Sequence, residues 1–137
     1  MIEINEAAWQ VMLDHARDIY PNECCGMLTG NGNQVTAAIP CKNIYQGDQS
    51  DRFEIDPHDI LRVQRESIQQ GQELIGFFHS HPDEDAYFSA TDLKNASPWH
   101  AHVVLSIRQR EFRDAKAFRV DLDLTESTEE ELLWPKS

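Results

Sequence analysis

The chain has few cysteines, no long apolar run and no surplus of positive charge, and each shortage removes a class of protein. Its three cysteines, Cys24, Cys25 and Cys41, do not make a disulfide framework, and no Cys-x-x-Cys pair is present to build a thiolate site. They read as reduced, buried thiols. No stretch approaches the ~20 apolar residues needed to cross a bilayer. Residues Met1 to Glu6 carry neither a basic region nor an apolar core, so no signal peptide is read there and a cytoplasmic protein is expected. Against 24 Asp and Glu stand only 12 Lys and Arg, a net charge of −12. Phosphate backbones would be repelled, so nucleic acid is not an expected partner, and neither is a membrane. Repeats, low-complexity tracts and interdomain linkers are also missing. The reading is one domain over residues 1–124 of the 137, followed by a loosely attached acidic tail over 125–137 on which Leu132, Leu133 and Trp134 can dock.

The patterning that is present alternates helix and strand. Asn5 caps a helix whose Trp9, Met12, Leu13, Ala16, Ile19 and Tyr20 follow helical spacing, and Pro21 ends it. Cys25 to Leu28 and Val35 to Ile39 read as strands around the turn Gly30-Asn31-Gly32-Asn33. A polar loop follows from Tyr45 to Asp51, then a short strand from Phe53 to Ile55. Asp56-Pro57 starts a second helix with Ile60, Leu61 and Ile68 on one face and Gly71 at its end. His102 to Ile107 reads as a strand, and Phe118, Val120, Leu122 and Leu124 alternate with charged residues as a strand with one wet face. Mixed strands flanked by helices indicate an α/β or α+β architecture.

Chemistry concentrates between His79 and Asp92, HSHPDEDAYFSATD. The apolar run from Leu74 to Phe78 delivers it as a buried strand, so His79 and His81 project to the same side. Two imidazoles and the Asp92 carboxylate make a three-ligand set, which leaves a tetrahedral metal one position for water. Ser89-Ala90-Thr91-Asp92 also reads as a helix start with Ser89 as N-cap and Asp92 reaching back, and the two readings are compatible. His100-Ala101-His102 repeats the histidine spacing without an acidic partner and reads as strand-start histidines, with a second metal as the alternative. Asp83-Glu84-Asp85 reads as a solvated loop face or a contact for a basic part of a substrate. His15 and His58 read as surface positions on helices.

These residues resemble the JAMM signature of the MPN-plus metallopeptidases: an upstream glutamate, His-Ser/Thr-His, seven residues, Ser, two residues, Asp. His79-Ser80-His81, Ser89 and Asp92 match it without departure, and Glu23 in Pro21-Asn22-Glu23-Cys24-Cys25-Gly26 matches the glutamate. Asp51 to Pro57 resembles the segment opening the second helix in small prokaryotic members, and the likeness runs from about Glu3 to Ile107. The resemblance implies the JAMM/MPN (cytidine-deaminase-like) fold, a curved mixed β-sheet flanked by helices. It implies one zinc ion per chain held by His79, His81 and Asp92, with Glu23 moving protons and Ser89 donating to the oxyanion. Ser80 would point away from the ligands, and Cys24 or Cys25 could lie near the metal because Glu23 does. Small prokaryotic relatives process ubiquitin-fold sulfur carriers, so the expected reaction is hydrolysis of an amide bond at the C-terminal Gly-Gly tail of a ubiquitin-like or sulfur-carrier protein or its conjugate. A homodimer is compatible with this reading. Three other readings remain: a non-catalytic MPN scaffold, against which the five intact residues speak; a DNA-repair-associated relative, against which Ser80 and the acidity speak; and a zinc deaminase, whose Pro-Cys-x-x-Cys motif is absent.

Overall fold

Asn5 begins the longest helix. Its side-chain oxygen accepts the Ala8 N–H at 2.9 Å, and α1 runs from Glu6 to Ile19 with Ala8, Trp9, Met12 and Ala16 buried. The structure, a computed structural model describing residues 1–136, places around it β1 (Ile2–Ile4), β2 (Cys25–Asn31), β3 (Gln34–Cys41), β4 (Glu73–Pro82), β5 (Ala101–Arg108), β6 (Glu111–Val120), β7 (Ser127–Glu130) and β8 (Leu132–Leu133). The described strands form one mixed sheet in the order β7-β6-β5-β4-β2-β3-β1-β8. β4 and β5 are parallel, joined through the short helix α3 (Ala90–Lys94), while β2 runs antiparallel to both β3 and β4.

Side-chain alternation divides the sheet into two faces. Phe78 of β4 joins Val103, Leu105 and Ile107 of β5 against the buried side of α1. Cys25, Met27 and Phe77 turn the other way, toward Val63 of α2 (Pro57–Gln69) and toward Ile55 in the segment before it. Gly26 stands opposite Phe78, and a Cβ there would sit 2.3 Å from its ring and 2.5 Å from the Ile39 carbonyl. The absence of a side chain at Gly26 is therefore what lets Phe78 fill the α1 side. His79 and His81 fall on the α2 face, at the C-terminal end of β4.

Four expectations need correction. Phe53 to Ile55 is not a strand. Ile44 N–H donates to the Glu54 carbonyl, but the return partner is the Asn43 side chain, whose Oδ1 accepts the Glu54 N–H at 3.2 Å. The buried side of α2 carries Val63 and Ser67 with Ile60 half-buried, while Leu61 and Ile68 are exposed. The last long strand ends at Val120. Asp121 then accepts the backbone N–H groups of Thr125 and Glu126 in a turn, and Leu122 is exposed. Nor is the C-terminal segment loosely attached: Ser127–Glu130 pairs with β6, Ile2 N–H reaches the Glu131 carbonyl at 2.9 Å, and Leu132–Leu133 pairs with β1. One segment thus runs along both edges of the sheet and draws them together. Its final residue, Ser137, lies outside the described residues.

Candidate metal centre and catalytic site

β4 and α3 converge on three donors. His79 Nε2 and His81 Nε2 are 3.2 Å apart, and Asp92 Oδ2 lies 3.2 and 3.1 Å from them. Donors held tetrahedrally at about 2.0 Å from an ion stand roughly 3.3 Å from one another, so this triangle has the dimensions of one face of a coordination tetrahedron. His79 and His81 are buried, and Asp92 is partly so. His81 Nδ1 is 2.9 Å from the Asp85 carbonyl. A carbonyl only accepts, so Nδ1 carries a proton, and the neutral form of the ring has its lone pair on Nε2, toward the cluster. His79 is held by stacking on Phe53, with ring centroids 4.5 Å apart.

Asp92 is fixed by the helix it starts. Ser89 Oγ accepts the Asp92 N–H at 2.9 Å, while Asp92 Oδ2 accepts the Ser89 N–H at 3.1 Å, a reciprocal capping box. The helix-start reading of that segment therefore holds, and the same carboxylate stands in the donor triangle. Burial works to raise the pKa of Asp92, but His79, His81 and the Ser89 N–H outweigh it and hold the carboxyl well below the ordinary range. Burial lowers His79. At His81 burial acts the same way, yet the Asp92 carboxylate prevails and raises it. The cluster attracts positive charge, and its donor set fits a metal ion.

Glu23 lies beside this cluster, 4% exposed. Its Oε1 is the one buried side-chain nitrogen or oxygen among the described residues without a hydrogen-bond partner. Burial first, then the charges of Asp92, Asp51 and Glu84, push its pKa up to about 9. The backbone around it is held on every side: its N–H donates to the Gln49 carbonyl, Asn43 Nδ2 donates to its carbonyl at 3.1 Å, and the next N–H, of Cys24, donates to Ser80 Oγ at 2.8 Å. Ser80 thus faces away from the ligands, as expected, and steadies the Glu23 segment.

The remaining candidates separate. Neither Cys24 nor Cys25 joins the donor group; burial pushes Cys24 up to about 12 and Cys25 higher still, which leaves both as inert thiols. His102 is buried with Nε2 2.9 Å from the Ser97 carbonyl, and burial lowers its pKa to about 4, while the His100 ring meets Ser97 Oγ. His15 is not a surface residue: its Nε2 lies 3.1 Å from the Cys25 carbonyl and 3.2 Å from that of Cys41, tying α1 to the sheet. Asp83 and Asp85 are exposed but tethered, to Tyr20 and Arg108. Sequence reasoning missed Asn43, the Asp85 carbonyl and the stacking by Phe53. It also missed a cleft of about 450 Å³ that opens from His79 and Asp92 and is walled by Phe53, Phe77 and Phe88. No helix among the described residues is long and apolar enough to cross a membrane.

A family model described as prokaryotic homologs of the JAB domain matches residues 5–121. A desampylase of Haloferax volcanii is 36% identical over 100 residues, covering 69% of this chain and 70% of the relative. A CysO-cysteine peptidase of Mycobacterium tuberculosis is 32% identical over 112 residues, 80% of this chain and 75% of the relative. The fold is similar to that of a JAB1/MPN domain protein of Archaeoglobus fulgidus, with a TM-score of 0.66 at 16% identity, covering 98% of this chain and 100% of that one.

Proposed function

The chain belongs to the family of prokaryotic homologs of the JAB domain, the small prokaryotic JAMM/MPN group, and is a hydrolase; from that premise we propose that it is a zinc-dependent peptidase or isopeptidase cutting an amide bond at the Gly-Gly tail of a ubiquitin-like or sulfur-carrier protein. The observation that carries the reading is the 3.1–3.2 Å triangle of His79, His81 and Asp92 with the unpartnered carboxyl of Glu23 buried next to it. The relatives named desampylase and CysO-cysteine peptidase support the substrate class.

Two nitrogen donors and one oxygen donor suit zinc, which when bound supplies activation of water at neutral pH and polarisation of a carbonyl. Glu23 would take the proton of the attacking water and deliver it to the leaving amine, without which an amide does not part. For this it must ionise, and a cation among its neighbours offsets the burial and negative charge that raise its pKa. Ser89 Oγ uses one lone pair in the cap, so its own hydrogen is free to reach the oxyanion. The aromatic cleft gives an extended tail a place to lie. Glycines at the scissile end suit the enclosed approach to His79 because they carry no side chain to collide.

The test is a cleavage assay on a ubiquitin-fold carrier whose Gly-Gly terminus is extended by an amino acid or joined to a lysine. The zinc-loaded protein is expected to release the carrier ending in Gly-Gly. Full zinc occupancy without cleavage of either type of conjugate would contradict the proposed substrate.

A further inference from the structure

Two residues after the second histidine the chain enters an exposed turn, Asp83 to Asp85, and this turn is fastened more heavily than its position requires. Asp83 has φ of 59°, and its N–H donates to the Ile107 carbonyl at 2.6 Å. Its carboxylate accepts the Tyr20 hydroxyl at 2.7 Å and the Gln109 N–H at 2.9 Å. Arg108 Nη1 donates to the Asp83 carbonyl at 3.0 Å, and Nη2 meets Asp85 Oδ1 at 2.7 Å. Ser106, directly opposite His81 in the β4–β5 ladder and 2% exposed, donates its hydroxyl to the Glu84 carbonyl at 2.5 Å.

Among the described residues, the one hydrogen bond from this turn back into the site is that between the Asp85 carbonyl and His81 Nδ1. That bond decides which ring nitrogen faces Asp92 and His79. An exposed turn left to itself samples many conformations and would hold its carbonyl poorly. We propose that Ser106 and Arg108 are positioning residues: by fixing the Asp83–Asp85 turn they aim the Asp85 carbonyl at His81 and keep the ring's Nε2 open to a metal. Neither side chain touches the donor cluster. The inference rests on the proposed function for its use of His81 as a ligand, while its account of the turn and of the turn's bond to the His81 ring stands without a metal.

The experiment measures two things on the wild type, Ser106→Ala, Arg108→Ala, the double variant and Ser106→Thr. One is zinc affinity by competition with a chromophoric chelator; the other is the distance between the Asp85 carbonyl and His81 Nδ1 in crystals of the metal-free protein. Outer partners of a metal-bound histidine typically change affinity by about 10–100-fold. Each alanine variant is expected to weaken zinc about 10-fold and the double variant up to about 100-fold, with the Asp85 carbonyl displaced from His81 Nδ1 beyond hydrogen-bond reach. Ser106→Thr keeps the hydroxyl and is expected to restore both. Arg108 is half-exposed, so its variant folds even if the buried Ser106→Ala does not. An Asp85–His81 bond kept in the alanine variants overturns the proposal, even if melting temperature or affinity falls, because a merely structural role predicts that pattern. If the wild type itself binds no zinc, the proposed function fails, and the Asp85–His81 contact alone decides the positioning role.

Discussion

Burying a carboxyl group among other carboxylates is unfavourable, and Glu23 is kept in that situation without a partner. Glu23→Gln keeps the shape and removes the proton chemistry, so it is expected to retain zinc while kcat falls by about 10²–10⁴, read from turnover against metal content. The same carboxyl ties stability to pH. Its pKa is raised from an ordinary 4.5 to about 9, so the folded metal-free protein holds a proton that the unfolded chain releases. Its contribution is therefore greatest below about pH 4.5 and is lost as pH climbs toward about 9. In urea unfolding without metal, the wild type is expected to lose stability relative to Glu23→Gln between pH 5 and 8.5; a constant difference would contradict the assignment. Ser89→Ala removes the cap as well as the oxyanion donor. It is expected to cost about 1 kcal/mol of stability and about 10²–10³ in rate. At this scale the sequence was highly legible, because histidine alternation on a strand and a capping box are both local rules. What it hid were contacts made by groups of no particular residue type, such as the Asp85 carbonyl.

At the scale of elements, the segment between β3 and α2 depends on Asn43. Its side chain donates to the carbonyls of Glu23 and Arg52 and accepts the N–H groups of Tyr45 and Glu54, so all four of its hydrogen-bonding capacities are used. Asn43→Ala leaves those groups to find other partners and is expected to cost about 2–3 kcal/mol in urea unfolding. It is also expected to lower kcat more than zinc affinity, because it frees the Glu23 backbone and not the ligands. The helices and the paired strands around α1 were readable from caps and apolar spacing. The failures have specific causes. Phe53–Ile55 carries strand-like residues, but its partner is a side chain instead of a strand. On α2, Leu61 and Ile68 are apolar yet exposed, and only packing reveals that Val63 and Ser67 face the sheet.

At the scale of the whole molecule, the C-terminal segment closes the fold. Arg119 Nε and the N-terminal amine both meet the Glu130 carboxylate, at 3.0 and 3.1 Å, where the two sheet edges approach. Trp134 stacks on Trp9 at 5.3 Å and borders Phe112, covering the end of the core that α1 leaves open. Trp134→Ala is expected to cost about 2 kcal/mol and lower the melting temperature by about 5 °C, with zinc affinity unchanged because the ligands sit on the opposite face. Its acidic, Ser- and Thr-containing composition reads as a solvated tail because edge strands face water and carry little apolar pattern. The central claim concerns His79, His81 and Asp92, and it is tested most directly by the metal content of the purified protein beside its Asp92→Ala variant. The account predicts about one zinc per wild-type chain and none in the variant. No zinc in the wild type after it is supplied, or full occupancy in the variant, would contradict it.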